Sequence, residues 1–126
     1  MYNIRSNQFG KYKVSTPEER TYDGIVFASK AEMRRYKELL LMVKAGVIKD
    51  LVCQPKFELV PKFTLLDETY FPMYYVADFQ YYDCEKKKRI VEDVKGVETE
   101  VFKMKEKLLA YRHHIIVKKV KTSEIR

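Results

Sequence analysis

The chain has 126 residues, 46% of them hydrophobic and 13% aromatic, which is enough to bury the core of one domain and too few for two. No apolar run exceeds five residues, against the roughly 18–20 that cross a bilayer, and the first residues carry no signal-peptide stretch, so a soluble intracellular protein is expected. With 25 Lys and Arg against 18 Asp and Glu, the net charge of +7 favours a polyanionic partner, nucleic acid ahead of an anionic membrane surface.

Residues 1–22 are polar and basic, with Arg5, Lys11, Lys13 and Arg20, and show no apolar period. They read as a flexible N-terminal arm ahead of a single domain over 23–126. A short apolar piece, 24–27, leads into a helix. Ser29 is a good N-cap and Glu32, three residues on, is its capping-box partner. The stripe Tyr36, Leu39, Leu40, Val43 recurs at helical spacing, and Ala45-Gly46 ends the helix. Extended segments follow over 47–52, 56–63 (where Pro61 marks an edge or bulge) and 74–82. A polar turn at 83–88 precedes a strand over 89–95, stopped by Gly96. A second helix runs from 98 or 99 to 111, with Val101, Met104, Leu108 and Tyr111 along one side, Phe102 and Leu109 beside them, and Lys103 and Lys107 on another face. A β-branched strand over 115–120 completes the chain. The order α-β-β-β-α-β predicts an α/β fold with a mixed sheet and helices packed on it.

Cys53 and Cys84 form no CxxC and read as free thiols of a reducing compartment. His113 and His114 are adjacent and therefore point apart, which suits a helix-end pair better than a shared metal.

Two acidic residues stand in strands that otherwise look buried: Asp78 and Asp93. A charge inside a core strand is costly unless it is paired or binds a metal. Side chains alternate along a strand, so Asp93 and Lys95 share a side and Glu92 faces the other. Carboxylate, carboxylate and a neighbouring ammonium are the parts that phosphodiester cleavage needs. The acids can hold Mg²⁺ through hard oxygen ligands, and the lysine can stabilise charge on the phosphate. An Asp-x-Lys tripeptide is also a common surface ion pair, and helix capping is an alternative role for Glu32. Both alternatives stand beside the catalytic one.

These residues resemble the PD-(D/E)xK nuclease superfamily. The counterparts are Glu32 on the first helix, Ala77-Asp78 at the start of the second core strand, and Asp93-Val94-Lys95 in the third. The segments 24–32, 54–57, 75–79, 91–96 and 99–105 are similar to a phage-borne, Holliday-junction-resolvase-like family long described only as a domain of unknown function. The resemblance covers roughly residues 20–120. Ala77 stands where the superfamily name has Pro, and the third-strand acid is Asp where many members have Glu.

The resemblance implies a restriction-endonuclease-like α-β-β-β-α-β core and an endonuclease that uses Mg²⁺, or Mn²⁺, to cut branched DNA such as Holliday junctions. Glu32, Asp78, Asp93 and Lys95 would be catalytic, the three acids holding the metal. Lys103, Lys107, Lys87 and Lys88 would contact the DNA backbone. It further implies a homodimer, since paired cuts across a branch need two-fold symmetry, in the cytoplasm of a bacterium or a phage-infected host, with no membrane partner. Two other readings remain: a repair- or restriction-type nuclease acting on duplex or single strands, and a non-catalytic DNA-binding protein on a nuclease fold.

Overall fold

The computed structural model describes residues 15–125. Two helices pack on a mixed sheet, an α/β architecture. A short 3-10 turn, Glu18–Arg20, leads into β1 (Thr21–Tyr22), which pairs antiparallel with β2 (Ile25–Val26) around Asp23-Gly24. Both turn residues have positive φ, where Gly24 carries no steric cost. The boundary expected at residue 22 thus falls inside a hairpin, and Arg20 is tied to the Phe27 carbonyl. The rest of the expected arm, 1–14, lies outside the described residues.

Helix α1 is Lys30–Lys44. The Ser29 hydroxyl accepts the Glu32 N–H at 3.1 Å, as expected of the N-cap, and the chain leaves the helix through Ala45 and Gly46 at φ 79°. Tyr36 and Leu39 are buried, Leu40 is half-buried and Val43 is exposed.

The main sheet has the order β10-β9-β8-β3. Here β3 is Ile48–Cys53, β8 is Phe79–Asp83, β9 is Lys88–Lys95 and β10 is Lys118–Lys121. Neighbours run antiparallel except β10, which lies parallel to β9. The segment 74–82, expected as one strand, is two. Met73–Val76 (β7) pairs with Lys56–Val60 (β4), and β8 pairs with β3. The ribbon changes direction where Gln54-Pro55 faces Ala77-Asp78. Gln54 has φ 55°, and Pro55 has no N–H to give to a ladder. Two bonds hold the bend, Gln54 N–H to the Asp78 carbonyl at 2.9 Å and Ala77 N–H to the Pro55 carbonyl at 3.0 Å.

Beyond Pro61 and Pro72 the ribbon continues as β5 (Phe63–Leu65) and β6 (Glu68–Tyr70), two strands the sequence reading did not contain. Their residues are exposed throughout, and Leu66 at the tip is 88% exposed.

Helix α2 is Glu100–His113, with the Thr99 hydroxyl as N-cap and His114 at φ 58° as C-cap. Of the stripe expected along one side, Val101, Met104 and Tyr111 are exposed and Leu108 is half-buried. Phe102 and Leu109 beside it, two turns apart, are the buried pair, because the helix packs against β4 and β7 along that line. His113 secures its end on the Glu58 carbonyl at 2.6 Å. The last strand begins at Lys118 rather than 115, since 114–117 are an irregular connection in which only Val117 is buried.

The core divides between the two faces of the sheet. On the α1 face Phe27, Tyr36, Leu39, Ile48, Phe79 and Tyr81 pack with Val94. On the α2 face Leu59, Tyr75, Ala77, Phe102, Leu109 and Val117 pack with Val91. Each fully buried large side chain contributes roughly 1.5–3 kcal/mol. Cys53 and Cys84 are free and half-buried. Among the described residues no helix is long and apolar enough to cross a membrane.

Candidate active site

Strand β9 carries two consecutive acids into the interior, Glu92 at 0% exposure and Asp93 at 2%. Alternation sends them to opposite faces. Glu92 goes to the α1 side, where it takes Arg35 in a fork (Nε to Oε2 at 2.7 Å, Nη2 to Oε1 at 2.9 Å) and a 2.6 Å hydrogen bond from the Tyr81 hydroxyl. Arg35 also reaches Glu38 at 2.9 Å. Donating these hydrogen bonds to Glu92 pushes the Arg35 pKa further upward. This is a closed, charge-neutral pair that locks α1 to the sheet.

Asp93 goes to the α2 side. Its Oδ1 accepts the Asp78 N–H at 2.8 Å, and its Oδ2 accepts the Tyr75 hydroxyl. Lys95, two residues on, brings its Nζ to 3.8 Å from Asp93 Oδ2 and lies over the Phe102 ring at 3.8 Å from the centroid. The ammonium is therefore held between a carboxylate and an aromatic face.

Asp78 occupies the bend between β7 and β8. Its Oδ2 accepts the Val94 N–H at 2.7 Å. Glu32 enters from the first turn of α1, close enough to interact with Asp78, Asp93 and Lys95. The structure thus brings Glu32, Asp78, Asp93 and Lys95 together from a helix, the β7–β8 bend and β9.

The electrostatics of this cluster are unbalanced. Burial, then the charge of Glu32, push the Asp78 carboxyl up to about 7. Burial raises Glu32 as well, with Asp93 adding to it and the Ala28 backbone and Lys95 opposing. Burial outweighs the Tyr75 hydroxyl and Lys95 in raising Asp93. Tyr75 itself is raised by burial and by its bond to Asp93, so it remains a donor. Three acids with one ammonium among them resist full ionisation. Among the described residues no group of three or more His, Cys, Asp or Glu is arranged as a ready metal shell.

The four lysines expected on DNA sit on α2 and around the β8–β9 turn. Lys103 is exposed on α2 and pairs with Glu100 at 3.4 Å, not with the carboxylates. Lys107 is exposed one turn further along. Lys87, at φ 56°, lies in the β8–β9 turn, and Lys88 opens β9 at the end away from Lys95.

Sequence reasoning missed Tyr75 and Arg35. A signal existed for Arg35, which stands three residues after Glu32 and beside Tyr36, close to the helix face that carries them. None marked Tyr75 among the ten tyrosines.

A family model matches residues 10–124, nearly the whole chain, under the description "Protein of unknown function (DUF1064)". The chain belongs to the DUF1064 family. No curated protein and no solved structure matches it. In this DUF1064 member the matched span contains the whole carboxylate cluster and extends upstream past the boundary expected at residue 22.

Proposed function

We propose that this chain is a metal-dependent DNA endonuclease of the PD-(D/E)xK kind, hydrolysing phosphodiester bonds in branched DNA such as Holliday junctions. The observation that carries the reading is the convergence of Glu32, Asp78, Asp93 and Lys95, with all three carboxyls held above their ordinary pKa. The order α1, β3, β8, β9, α2, β10 supports a restriction-endonuclease-like core in which β4–β7 is an inserted ribbon.

The donor set fits Mg²⁺ or Mn²⁺ by its chemistry. Carboxylate oxygens suit hard cations, and the burial and charge repulsion that raise these acids are what a divalent ion would offset. Asp78, Asp93 and Glu32 would hold it. When bound, the ion would supply Lewis-acid polarisation of a phosphate oxygen. Lys95 faces the same space and can hold a phosphate oxygen or orient a water. Tyr75 and the Asp78 N–H fix the Asp93 carboxylate in one rotamer. Arg35 and Glu92 fix α1, and with it Glu32, against β9. Paired cuts across a junction imply a homodimer.

One observation favours a second reading, a DNA-binding protein that does not cut: both Asp93 oxygens already accept hydrogen bonds within the fold. End-labelled four-way junctions and linear duplexes of the same arms, incubated with Mg²⁺, Mn²⁺ or EDTA, separate the readings. Metal-dependent paired nicks near the branch support the resolving nuclease. Equal cutting of linear duplex keeps the nuclease and removes the junction preference. Binding without cleavage under either metal selects the second reading.

A further inference from the structure

Strand β10 covers β9 only from Glu92 onward, since Lys118 is the residue opposite Glu92. The edge of β9 over 88–91 is therefore left without a strand, and the space between it and the 114–117 connection is a groove of about 780 Å³. Its floor is aliphatic, with Ile90, Val91 and Ile115, and its polar lining is basic: Lys86, Lys88, Arg89 and Lys118, with His114 beside them.

Several cations of the molecule are paired, and others, such as Lys62 and Lys107, form no ion pair among the described residues; these four are set apart by lining one surface. Lys30, Arg35, Lys95, Lys103, Arg112 and Lys119 each lie within 4 Å of a carboxylate. Among the described residues none of the four groove cations forms an ion pair. Asp83 is the acid that feels Lys86 and Lys118, but its Oδ1 is taken by the Glu85 and Lys86 N–H groups at 2.9 Å, and no ammonium bonds it. Four cations around one concave surface, partly offset by the Asp83 carboxylate near Lys86 and Lys118, repel one another and focus a positive potential into it.

The groove also has a direction. Arg89, Val91, Asp93 and Lys95 alternate onto one side of β9. Arg89 is four residues from Asp93, on the order of 13 Å along a strand. That is roughly four steps of duplex rise at about 3.4 Å each.

We propose that this groove is a second anion site, which takes backbone phosphates of the nucleic acid strand whose scissile phosphate lies at the carboxylate cluster. The inference rests on the nuclease reading for its substrate, but not for its measurement. A flat lipid surface does not follow a groove, whereas a strand running along β9 meets both sites. The exposed Ile116 at the rim, 88% exposed, and the aliphatic floor suit the sugar face of such a strand. Contacts of this kind position the backbone without reading sequence.

The test is fluorescence anisotropy with labelled four-way junction and duplex DNA in EDTA, at salt from about 50 to 200 mM. The full chain is compared with Arg89→Glu/Lys118→Glu, with the milder Arg89→Gln/Lys118→Gln, and with Lys62→Glu on the β5–β6 arm as a reversal outside the groove. All are first matched by thermal melts, and the Gln pair stands in if the Glu pair misfolds. The expected result is a loss of about tenfold or more in affinity for the groove variants, with the slope of log K against log salt shallower by about 1–2. Lys62→Glu should change either value less. Groove variants that bind like Lys62→Glu overturn the proposal, as does a wild type that binds no DNA in EDTA. Tighter groove-dependent binding to phosphatidylserine vesicles than to DNA also overturns it, in favour of a membrane. Groove-dependent DNA binding with no cleavage under any metal keeps the groove and removes the nuclease.

Discussion

Asp78 and Asp93 hold each other's strand: Asp93 Oδ1 accepts the Asp78 N–H at 2.8 Å, and Asp78 Oδ2 accepts the Val94 N–H at 2.7 Å. The two acids therefore have a structural job whatever else they do, and substitutions must separate the two roles. Asparagine keeps an acceptor for each backbone N–H, whereas alanine removes it. Asp78→Asn and Asp93→Asn are expected to melt close to wild type and to lose metal-dependent cleavage. Asp93→Ala leaves a buried hydroxyl and N–H short of a partner and should cost about 1–3 kcal/mol in urea unfolding. Lys95→Met should fold and lower cleavage by on the order of 10²–10³. Asparagine variants that cut like wild type would leave the acids with a structural role only.

The carboxylate cluster also predicts how stability depends on pH without metal. Asp78 moves up to about 7 from an ordinary value of 3.8, with Glu32 and Asp93 moving the same way. The folded state then binds protons that the unfolded chain has already released. That contribution to stability is full below about pH 4 and is lost as pH rises towards about 7. In EDTA the melting temperature should fall between pH 5 and pH 8, with Asp78→Asn flattening the decline. Excess Mg²⁺ should restore more stability at pH 8 than at pH 5, because its ligands must be deprotonated. A wild-type melting curve that rises over this interval, with Asp78→Asn behaving identically, would contradict the assignment.

Arg35 and Glu92 make a different prediction, since their charges are already balanced. Arg35→Met strands a carboxylate of 0% exposure with one tyrosine hydroxyl for company. The loss should be about 3–5 kcal/mol. Removing both charges, as Arg35→Met/Glu92→Leu, should recover much of it, because the desolvation cost disappears with the pair. A double-mutant cycle by urea unfolding measures this. A single-variant loss below about 1 kcal/mol would mean that water reaches Glu92 after all.

What the sequence revealed of this site follows from period-two alternation. Asp93 and Lys95 on one side and Glu92 on the other needed nothing but the strand, and the Ser29–Glu32 spacing sufficed to begin α1. What remained hidden depended on partners distant in sequence. Helix α2 is apolar on more than one side, so whether Val101 and Met104 or Phe102 and Leu109 face inward is decided by β4 and β7. The break at Gln54-Pro55 is legible between 47–52 and 56–63, but Ala77-Asp78 opposite it reads as continuous strand because nothing in 74–82 marks the turn without its partner. Tyr75 could not be paired with Asp93, eighteen residues away, before the β7-to-β9 geometry was known.

The tip of the β5–β6 hairpin was equally illegible, and it yields the last prediction. Leu66 holds φ 52° while 88% exposed. A left-handed conformation costs a residue with a Cβ roughly 1–2 kcal/mol, and a side chain in solvent recovers none of it by packing. Glycine removes that strain but carries an unfolded-state entropy penalty of roughly 0.5–1 kcal/mol. Leu66→Gly should therefore stabilise the protein by about 0.5–1 kcal/mol, with an unchanged urea m-value. The size of the effect also tests the tip itself. Destabilisation by Leu66→Gly would show that this leucine packs against something in solution, and a concentration-dependent melting temperature for wild type alone would identify that surface as a second copy of the chain.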